Sequence, residues 1–365
     1  MKNLIILLLK RIFALLTGKV TFLQGLNFIL FNLAKEKVVV NYHPLRLGIF
    51  VTGKCNLACS MCLTHSPLIP NNPFKYQGSK DMDLATFQDI LKKFPAALHV
   101  SIIGNGEPLL NKDIFKIIHY AKKKKKNVTI FSNGLILDQY IDQLLEHKVD
   151  SINISINAIS SDEYQRFTGH NPSVFLKCLE NLKKLCQEKI KQKSPLKIFC
   201  SIIVDKQNYE TMPEMIKFAE SIGVDHVHLS HFMPSPTDIN QAKERCLYIS
   251  DTEALYLIEE LALDRYQVEV TFPRILDGNT NNRLCRDSLI SMSIDGAGNI
   301  GVCERQLLNT KDQGTYLDKN VFNNQHFQKL RKKFLMGTDD LDTPCKTCYN
   351  NTTCLEKTIP AKKND

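Results

Sequence analysis

From residue 46 onward the chain alternates between short β-rich runs and longer helix-like segments, and this pattern limits the fold more than any other feature. The β-rich runs are LGIFVT (47–52), LHVSIIG (98–104), NVTIFS (127–132), DSINISI (150–156), KIFCSIIV (197–204) and HVHLSHF (226–232). Helix-like segments at 83–95, 112–125, 138–147, 160–186 and 209–222 separate them, with Asp83 placed to cap the first and Gly223 following the last. Strands alternating with helices imply parallel strands joined by right-handed crossovers. Six strands are two short of a closed eightfold barrel, so the expected α/β fold is an open, partial barrel. In such folds the chemistry gathers at the C-terminal ends of the strands. After about residue 245 the alternation stops, and turn signals such as DGAGN and DTP take over.

The chain has 365 residues, 43% of them apolar and 23% charged, enough for a large core. The net charge of +9 is concentrated in KKKKK (122–126) and in the lysine-rich stretch 183–197. No aromatics interleave with these lysines, so solvated helix faces and ends are expected and no nucleic-acid partner. Twelve cysteines are many for this length. The apolar segment NLIILLLKRIFALL is interrupted by Lys10 and Arg11, unlike a secretory signal, and no run reaches the roughly 18 apolar residues of a spanning helix. A cytoplasmic location is therefore expected, where clustered cysteines bind metal more often than they form disulfides. Residues 20–35 place Phe22, Leu26, Ile29 and Leu33 on one helical stripe, with Leu23 and Leu30 beside it and Gln24, Asn27 and Lys35 on the other side. Two readings stand for residues 1–40: a helical pair packed on the main domain, or a membrane-surface contact at the inner face of the membrane, helped by Lys2, Lys10, Arg11 and Lys19.

CNLACSMC places Cys55, Cys59 and Cys62 on the loop after the first strand. Iron–sulfur clusters take four thiolates, and three leave one iron with an open position, where a metal site does chemistry. On the residues alone, a zinc site lacking its fourth ligand, or one completed by His65, is the alternative. Cys-x3-Cys-x2-Cys after the first strand of a partial β/α barrel resembles the radical S-adenosylmethionine (SAM) superfamily. Met61 stands where that family often has an aromatic. The resemblance implies a [4Fe-4S] cluster on the three cysteines, chelation of SAM by the open iron, reductive cleavage to a 5′-deoxyadenosyl radical, and hydrogen abstraction from a substrate.

The second strand ends in GNGEP, Gly104, Asn105, Gly106, Glu107 and Pro108, similar to the family's Gly-Gly-Glu-Pro motif, whose backbone carbonyls bind the SAM ammonium. By the same resemblance, Ser132, Asn133 and Ser155 are candidate ribose or carboxylate partners, and Arg166 a candidate for the SAM carboxylate. Each alone would also suit a turn, a strand or a surface salt bridge. Further on, Cys285, Gly298, Cys303, Cys345, Cys348 and Cys354 resemble the SPASM extension and its shorter twitch variant. Five cysteines cannot complete two four-cysteine clusters, so one auxiliary [4Fe-4S] cluster is expected, with Cys354 either a replacement ligand or a spare thiol. A zinc ribbon fits the spacing equally. Glu304 matches an acidic residue that acts as general base in sulfatase-maturating relatives; its alternative is pairing with Arg305 or a lysine. Cys178, Cys186, Cys200 and Cys246 have no partner spacing and suit small buried side chains.

The expected organisation is an N-terminal helical extension (1–44), a partial (β/α)6 TIM-like core (45–245) and a small Fe–S domain of SPASM/twitch type (246–365). The expected function is a radical SAM enzyme, fed by a donor such as flavodoxin or ferredoxin, that oxidises or modifies a small molecule, sugar or envelope/lipid-linked precursor. A ribosomal-peptide or protein maturase and a non-enzymatic electron-transfer or sensing protein are the alternatives.

Overall fold

The computed structural model describes residues 18–34, 37–69, 78, 80–232, 244–276, 285–309, 313–337, 341, 345, 348, 354–355 and 358–361. In chain order the elements are α1 (Phe22–Ala34), β1 (Arg46–Phe50), α2 (Leu84–Lys93), β2 (His99–Ile103), α3 (Ile114–Lys123), β3 (Asn127–Ser132), α4 (Ile141–Glu146), β4 (Ser151–Asn157), α5 (Ser161–Thr168) and α6 (Pro172–Lys191). They continue with β5 (Lys197–Val204), α7 (Met212–Ile222), β6 (His226–His231), α8 (Thr252–Leu261), β7 (Glu269–Thr271), β8 (Ile275–Leu276), α9 (Asp287–Ile290), β9 (Ser291–Ile294), β10 (Ile300–Gly301), α10 (Glu304–Asn309), α11 (Gln325–Met336), β11 (Cys354–Leu355) and β12 (Thr358–Ile359).

The chain divides into two compact units. The first comprises Met1–Lys54, Gly78–Thr129 and Leu284–Thr338; the second comprises Cys55–Gln77, Ile130–Arg283 and Asp339–Asp365. Strand β3 begins in the first and ends in the second. In the first unit the strand order is β10-β9-β1-β2-β3. Here β1 runs parallel to β2, with Arg46 opposite His99, and to β9, with Arg46 opposite Ser291, while β10 folds back antiparallel on β9. In the second unit the order is β4-β5-β6-β7-β12, parallel except for the last pairing, and β8 and β11 form a separate ribbon.

Local sequence explains these elements. Asp83 caps α2 by accepting from the Thr86 N–H at 2.8 Å. The helix-like stretch 160–186 is two helices. Gly169 ends α5 at φ +72°, and Asn171 caps α6 just ahead of Pro172. In β4, Ile152, Ile154 and Ile156 are fully buried while Asn153, Ser155 and Asn157 on the opposite face are half-buried. Each isoleucine contributes about 1.5–3 kcal/mol through burial. Beyond residue 245, β7 adds a parallel strand beside β6 and β9 another beside β1. Strands of three or four residues are too short to show a period in sequence. Cys178, Cys186, Cys200 and Cys246 are buried, and burial pushes the Cys186 and Cys200 thiols up to about 12. No helix among the described residues is long and apolar enough to cross a membrane.

His226 reports on the second unit. Its ring lies 4.7 Å from that of Phe199, and Nε2 is 2.8 Å from the Thr271 hydroxyl. Burial lowers its pKa to about 4, with Asp225 opposing. The unfolded chain then takes up this proton near pH 6.5 and the folded chain only near 4. Stability from neutral His226 is therefore present above 6.5 and lost as the pH falls towards 4. Between pH 7 and 4, wild type should lose up to about 3 kcal/mol more than His226→Phe in paired urea titrations; parallel losses would refute this.

Candidate active site

Within the second unit the loop carrying Cys55, Cys59 and Cys62 is tied down by its own backbone and by the end of α5. The Cys62 N–H donates to the Cys59 carbonyl at 2.9 Å, and the Ser66 N–H donates to the Cys62 carbonyl at 3.2 Å. The Ser60 N–H donates to the Thr168 carbonyl at 2.9 Å, and the Ser60 hydroxyl to the Phe167 carbonyl at 2.9 Å. His170, just past α5, accepts the Ala58 N–H at Nε2 over 3.1 Å. Met61 packs with the buried cluster of Phe167, Phe232, Cys246 and Leu276, which accounts for an apolar residue there.

The thiols are half-buried and not disulfide-bonded. Donors approach two of the sulfurs: the His65 N–H lies 3.4 Å from Cys62 Sγ, and Asn133 Nδ2 lies 3.9 Å from Cys55 Sγ and 2.8 Å from Asn56 Oδ1. Burial, followed by the charges of Cys62, Cys55 and Cys178, pushes the Cys59 thiol up to about 12. Among the described residues no group of three or more His, Cys, Asp or Glu side chains is arranged to hold a single metal ion. A thiol-only donor set with N–H groups directed at sulfur fits an iron–sulfur cluster.

Within the first unit, GNGEP lies against residues 52–54, the stretch leading into Cys55. A Cβ on Gly104 would stand 2.8 Å from the Thr52 carbonyl oxygen, and one on Gly106 only 1.9 Å from that of Lys54. The Glu107 N–H donates to the Lys54 carbonyl at 2.8 Å. The Glu107 carboxylate is buried and accepts from the Leu109 N–H at 3.1 Å, starting a short 3-10 turn at Pro108. Lys54 Nζ and the Thr52 hydroxyl both reach Asp81, each at 2.7 Å. The glycines are thus required first by close packing of the chain against itself, a reason the motif does not reveal in sequence. Asn105, between them, is half-buried.

The remaining candidates lie in the second unit. Ser132 is buried and accepts the Gly134 N–H at 3.1 Å. Ser155 sits on the polar face of β4, where the register with β5 shifts and Asn157 takes φ +66°. Arg166 is a third exposed and held by Glu163 at 3.6 Å, Asp205 at 3.8 Å and Gln207, with its guanidinium 4.5 Å from the centre of the Phe167 ring. That network is the salt-bridge alternative of the sequence reading. His170 was missed by sequence reasoning because a lone histidine after a helix carries no periodic signal. Its neighbourhood, TGHNP, reads only as a turn between two helices.

The C-terminal cysteines divide between the units. In the first, half-buried Cys285 precedes α9 and its carbonyl accepts from the Ser288 hydroxyl at 2.9 Å. Asp295 closes the β9–β10 turn by accepting from the Ala297 and Asn299 N–H groups, and Gly298 turns at φ +88°. Half-buried Cys303 then leads into α10, its carbonyl accepting from the Leu307 N–H at 3.0 Å. Glu304 opens α10; solvent reaches it, but protein atoms crowd its carboxyl and raise its pKa, with Arg305 opposing. In the second unit, Cys345 and Cys348 are buried and joined by an N–H to carbonyl bond of 3.2 Å, and Cys354 pairs through its backbone with Leu276.

His170→Ala removes the acceptor for Ala58 and loosens the cysteine loop. Cluster-dependent activity should fall about 10–100-fold, as for other groups that orient metal ligands. Iron content and rate measured together would show it, and an unchanged rate at full iron content would contradict it.

Residues 49–219 match the family model described as the radical SAM superfamily. A tungsten-containing aldehyde ferredoxin oxidoreductase cofactor-modifying protein of Pyrococcus furiosus is 28% identical over 204 residues, 53% of this chain and 53% of that protein. The chain therefore spans about half the length of that relative. A probable GTP 3′,8-cyclase of Methanococcus aeolicus is 26% identical over 275 residues, 68% of this chain and 82% of the relative. Among solved structures, SuiB of Streptococcus suis bound to S-adenosylmethionine superposes with TM-score 0.60 at 18% identity, covering 79% of this chain and 68% of SuiB. Native anSMEcpe with bound AdoMet gives 0.56 at 18% identity, covering 84% and 87%. These likenesses establish the fold as the mixed, largely parallel α/β partial barrel of radical SAM enzymes.

Proposed function

We propose that this chain is a radical SAM enzyme, as the match of residues 49–219 supports, that Cys55, Cys59 and Cys62 hold its [4Fe-4S] cluster, and that the substrate is a small molecule, sugar or envelope-linked precursor. The observation that carries this reading is the pinned three-thiol loop, with N–H donors directed at the sulfurs of Cys55 and Cys62. A cluster held by Cys55, Cys59 and Cys62 would supply one-electron reduction of bound SAM. The chain's own part is to hold the loop through Ser60 and His170, to place the Asn133 amide beside Cys55, and to present the backbone of Gly104, Asn105 and Gly106 together with Glu107 and Pro108. Ser132, Ser155 and Arg166 are the further candidates for SAM. Hydrogen bonds to thiolate sulfur stabilise the reduced, more negative state and so make electron uptake easier.

Cys285, Cys303, Cys345 and Cys348 are proposed to hold one auxiliary [4Fe-4S] cluster, with Cys354 as the alternative fourth ligand, and residues 246–365 to serve as the part that carries it. The enzyme needs a reductant, and a flavodoxin or ferredoxin is proposed to supply it. Glu304, next to Cys303, is the candidate base for substrate oxidation. Glu304→Gln should leave uncoupled SAM cleavage intact and lower product formation about 10²-fold, the lower end of general-base effects; full product formation removes Glu304 from the role.

The deciding experiment is anaerobic reconstitution with iron and sulfide, followed by dithionite and SAM, reading 5′-deoxyadenosine and methionine. Formation of both supports the reading. Their absence with a fully loaded cluster overturns it in favour of an electron-transfer or sensing protein.

A further inference from the structure

Helix α1 docks on the first unit with its polar side inward. Gln24 is fully buried, and its Nε2 donates to the carbonyls of Ala97 at 3.0 Å and Lys125 at 3.2 Å. Asn27 is buried too: Nδ2 donates to the carbonyls of His43 at 3.1 Å and Ala96 at 3.3 Å, and Oδ1 accepts the His43 N–H at 2.8 Å. At 3.6 residues per turn, the stripe of Phe22, Leu26, Ile29 and Leu33 falls on the opposite side. It is turned to solvent, with exposures of 74%, 40%, 37% and 67%, and Leu23 beside it is 42% exposed. A solvent-facing helix normally shows the reverse arrangement. The face has no charge of its own, since FLQGLNFILFNLA contains no ionisable residue.

Its surroundings are cationic. The Gln24–Lys125 bond brings the lysine turn after α3 to the helix; Lys123, Lys124 and Lys125 are exposed there, as is Lys19 just ahead of α1. Gly18 lies against the Lys125 ammonium, which is 3.8 Å from where a Cβ would stand. Lys126, last of the run, turns inward instead and donates to the carbonyls of Pro95 and Ala97, both at 2.6 Å. The stretch before the helix continues the same chemistry in sequence, with apolar residues around Lys2, Lys10 and Arg11.

We propose that α1 lays its Phe22–Leu26–Ile29–Leu33 face into the headgroup boundary of an anionic lipid surface, with Lys19 and Lys123–Lys125 against the lipid phosphates. An uncharged apolar strip with lysines beside the N-terminal end of its helix fits both layers of such a surface. A symmetric pairing of two copies through this face would set one lysine group against the other, which disfavours a second copy as the occupant. The proposal is independent of the cluster chemistry, because binding is read without SAM or turnover.

Vesicle flotation of the full-length chain tests it, using phosphatidylcholine alone or mixed with phosphatidylglycerol, at low and high salt. The expected result is flotation with the anionic vesicles that weakens as salt screens the lysines. Leu26→Asp/Leu33→Asp should lower the bound fraction at least about 10-fold. Lys123→Glu/Lys124→Glu/Lys125→Glu should remove the preference for anionic vesicles. All five positions are exposed, so melting temperatures should match wild type and separate lost docking from misfolding. Three results overturn the proposal: no flotation of wild type; equal flotation of wild type and Leu26→Asp/Leu33→Asp; or a wild-type dimer by sedimentation that Leu26→Asp/Leu33→Asp dissociates without any lipid binding.

Discussion

Alanine at any one of Cys55, Cys59 or Cys62 should abolish 5′-deoxyadenosine formation by the reconstituted protein. Each removes one of three thiols carried on a single loop, and no other cysteine of the described residues is assigned to replace it. Groups that merely orient a metal ligand cost about 10–100-fold when removed, so loss of a ligand itself should exceed that. Iron and sulfide per chain, visible absorbance and nucleoside product should fall together. Cys186→Ala is the contrast. Cys186 is almost fully buried in helix α6 and belongs to no proposed ligand set, whereas Cys178 neighbours Cys59; Cys186→Ala should cost stability but leave the nucleoside product at full iron content, and Cys178→Ala should cost stability and lower iron content as well. Normal turnover in any one of the three loop variants would remove that cysteine from the proposed site.

Gly106→Ala should be the most damaging single-atom change in the first unit. The added methyl would stand 1.9 Å from the Lys54 carbonyl oxygen, 2.3 Å from its carbon and 2.8 Å from the Gly53 carbon. All three are backbone atoms, so no side chain can swing aside, and the cost should exceed the about 1–3 kcal/mol of ordinary overpacking. Because Lys54 leads directly into Cys55, the strain should appear as lost iron as well as a lower melting temperature. Gly223→Ala separates this from a general glycine effect: its methyl meets nothing within 4 Å, and only the φ of +81° opposes it. That conformational cost is about 1–2 kcal/mol. Equal melting of Gly106→Ala and wild type would mean that the two backbone segments are not held together.

Much of the architecture was legible before any coordinates. Alternation located β1–β6, the residues that follow their C-terminal ends are the ones singled out for chemistry, and Asp83 and Gly223 mark the helix boundaries they were expected to mark. What escaped has identifiable causes. β7 and β9 are too short for a period to emerge, so their places beside β6 and β1 come from pairing alone. The break between α5 and α6 was spelled out by Gly169 and Pro172 but outweighed by continuous helical spacing on either side. The packing of Gly104 and Gly106 against residues 52–54 depends on a contact across about fifty residues, which a local motif does not contain. His170 touches the cysteine loop through a single polar atom, which leaves no trace in composition or periodicity, and Asn133, singled out as a SAM candidate, has its amide near the Cys55 sulfur, a contact the sequence does not show.

The periodicity of α1 identified its apolar stripe but not the direction in which that stripe points. That direction is decided by Gln24 and Asn27, three positions apart and therefore on one side of the helix. Hydrogen bonds are directional where apolar contact is not, so these amides fix the roll angle of the helix about its axis. A helix held by grease alone could rotate by half a turn and quench its own leucines against the protein. Gln24→Leu/Asn27→Leu would remove that lock, letting the body of the protein compete for a face that the amides now keep turned outward.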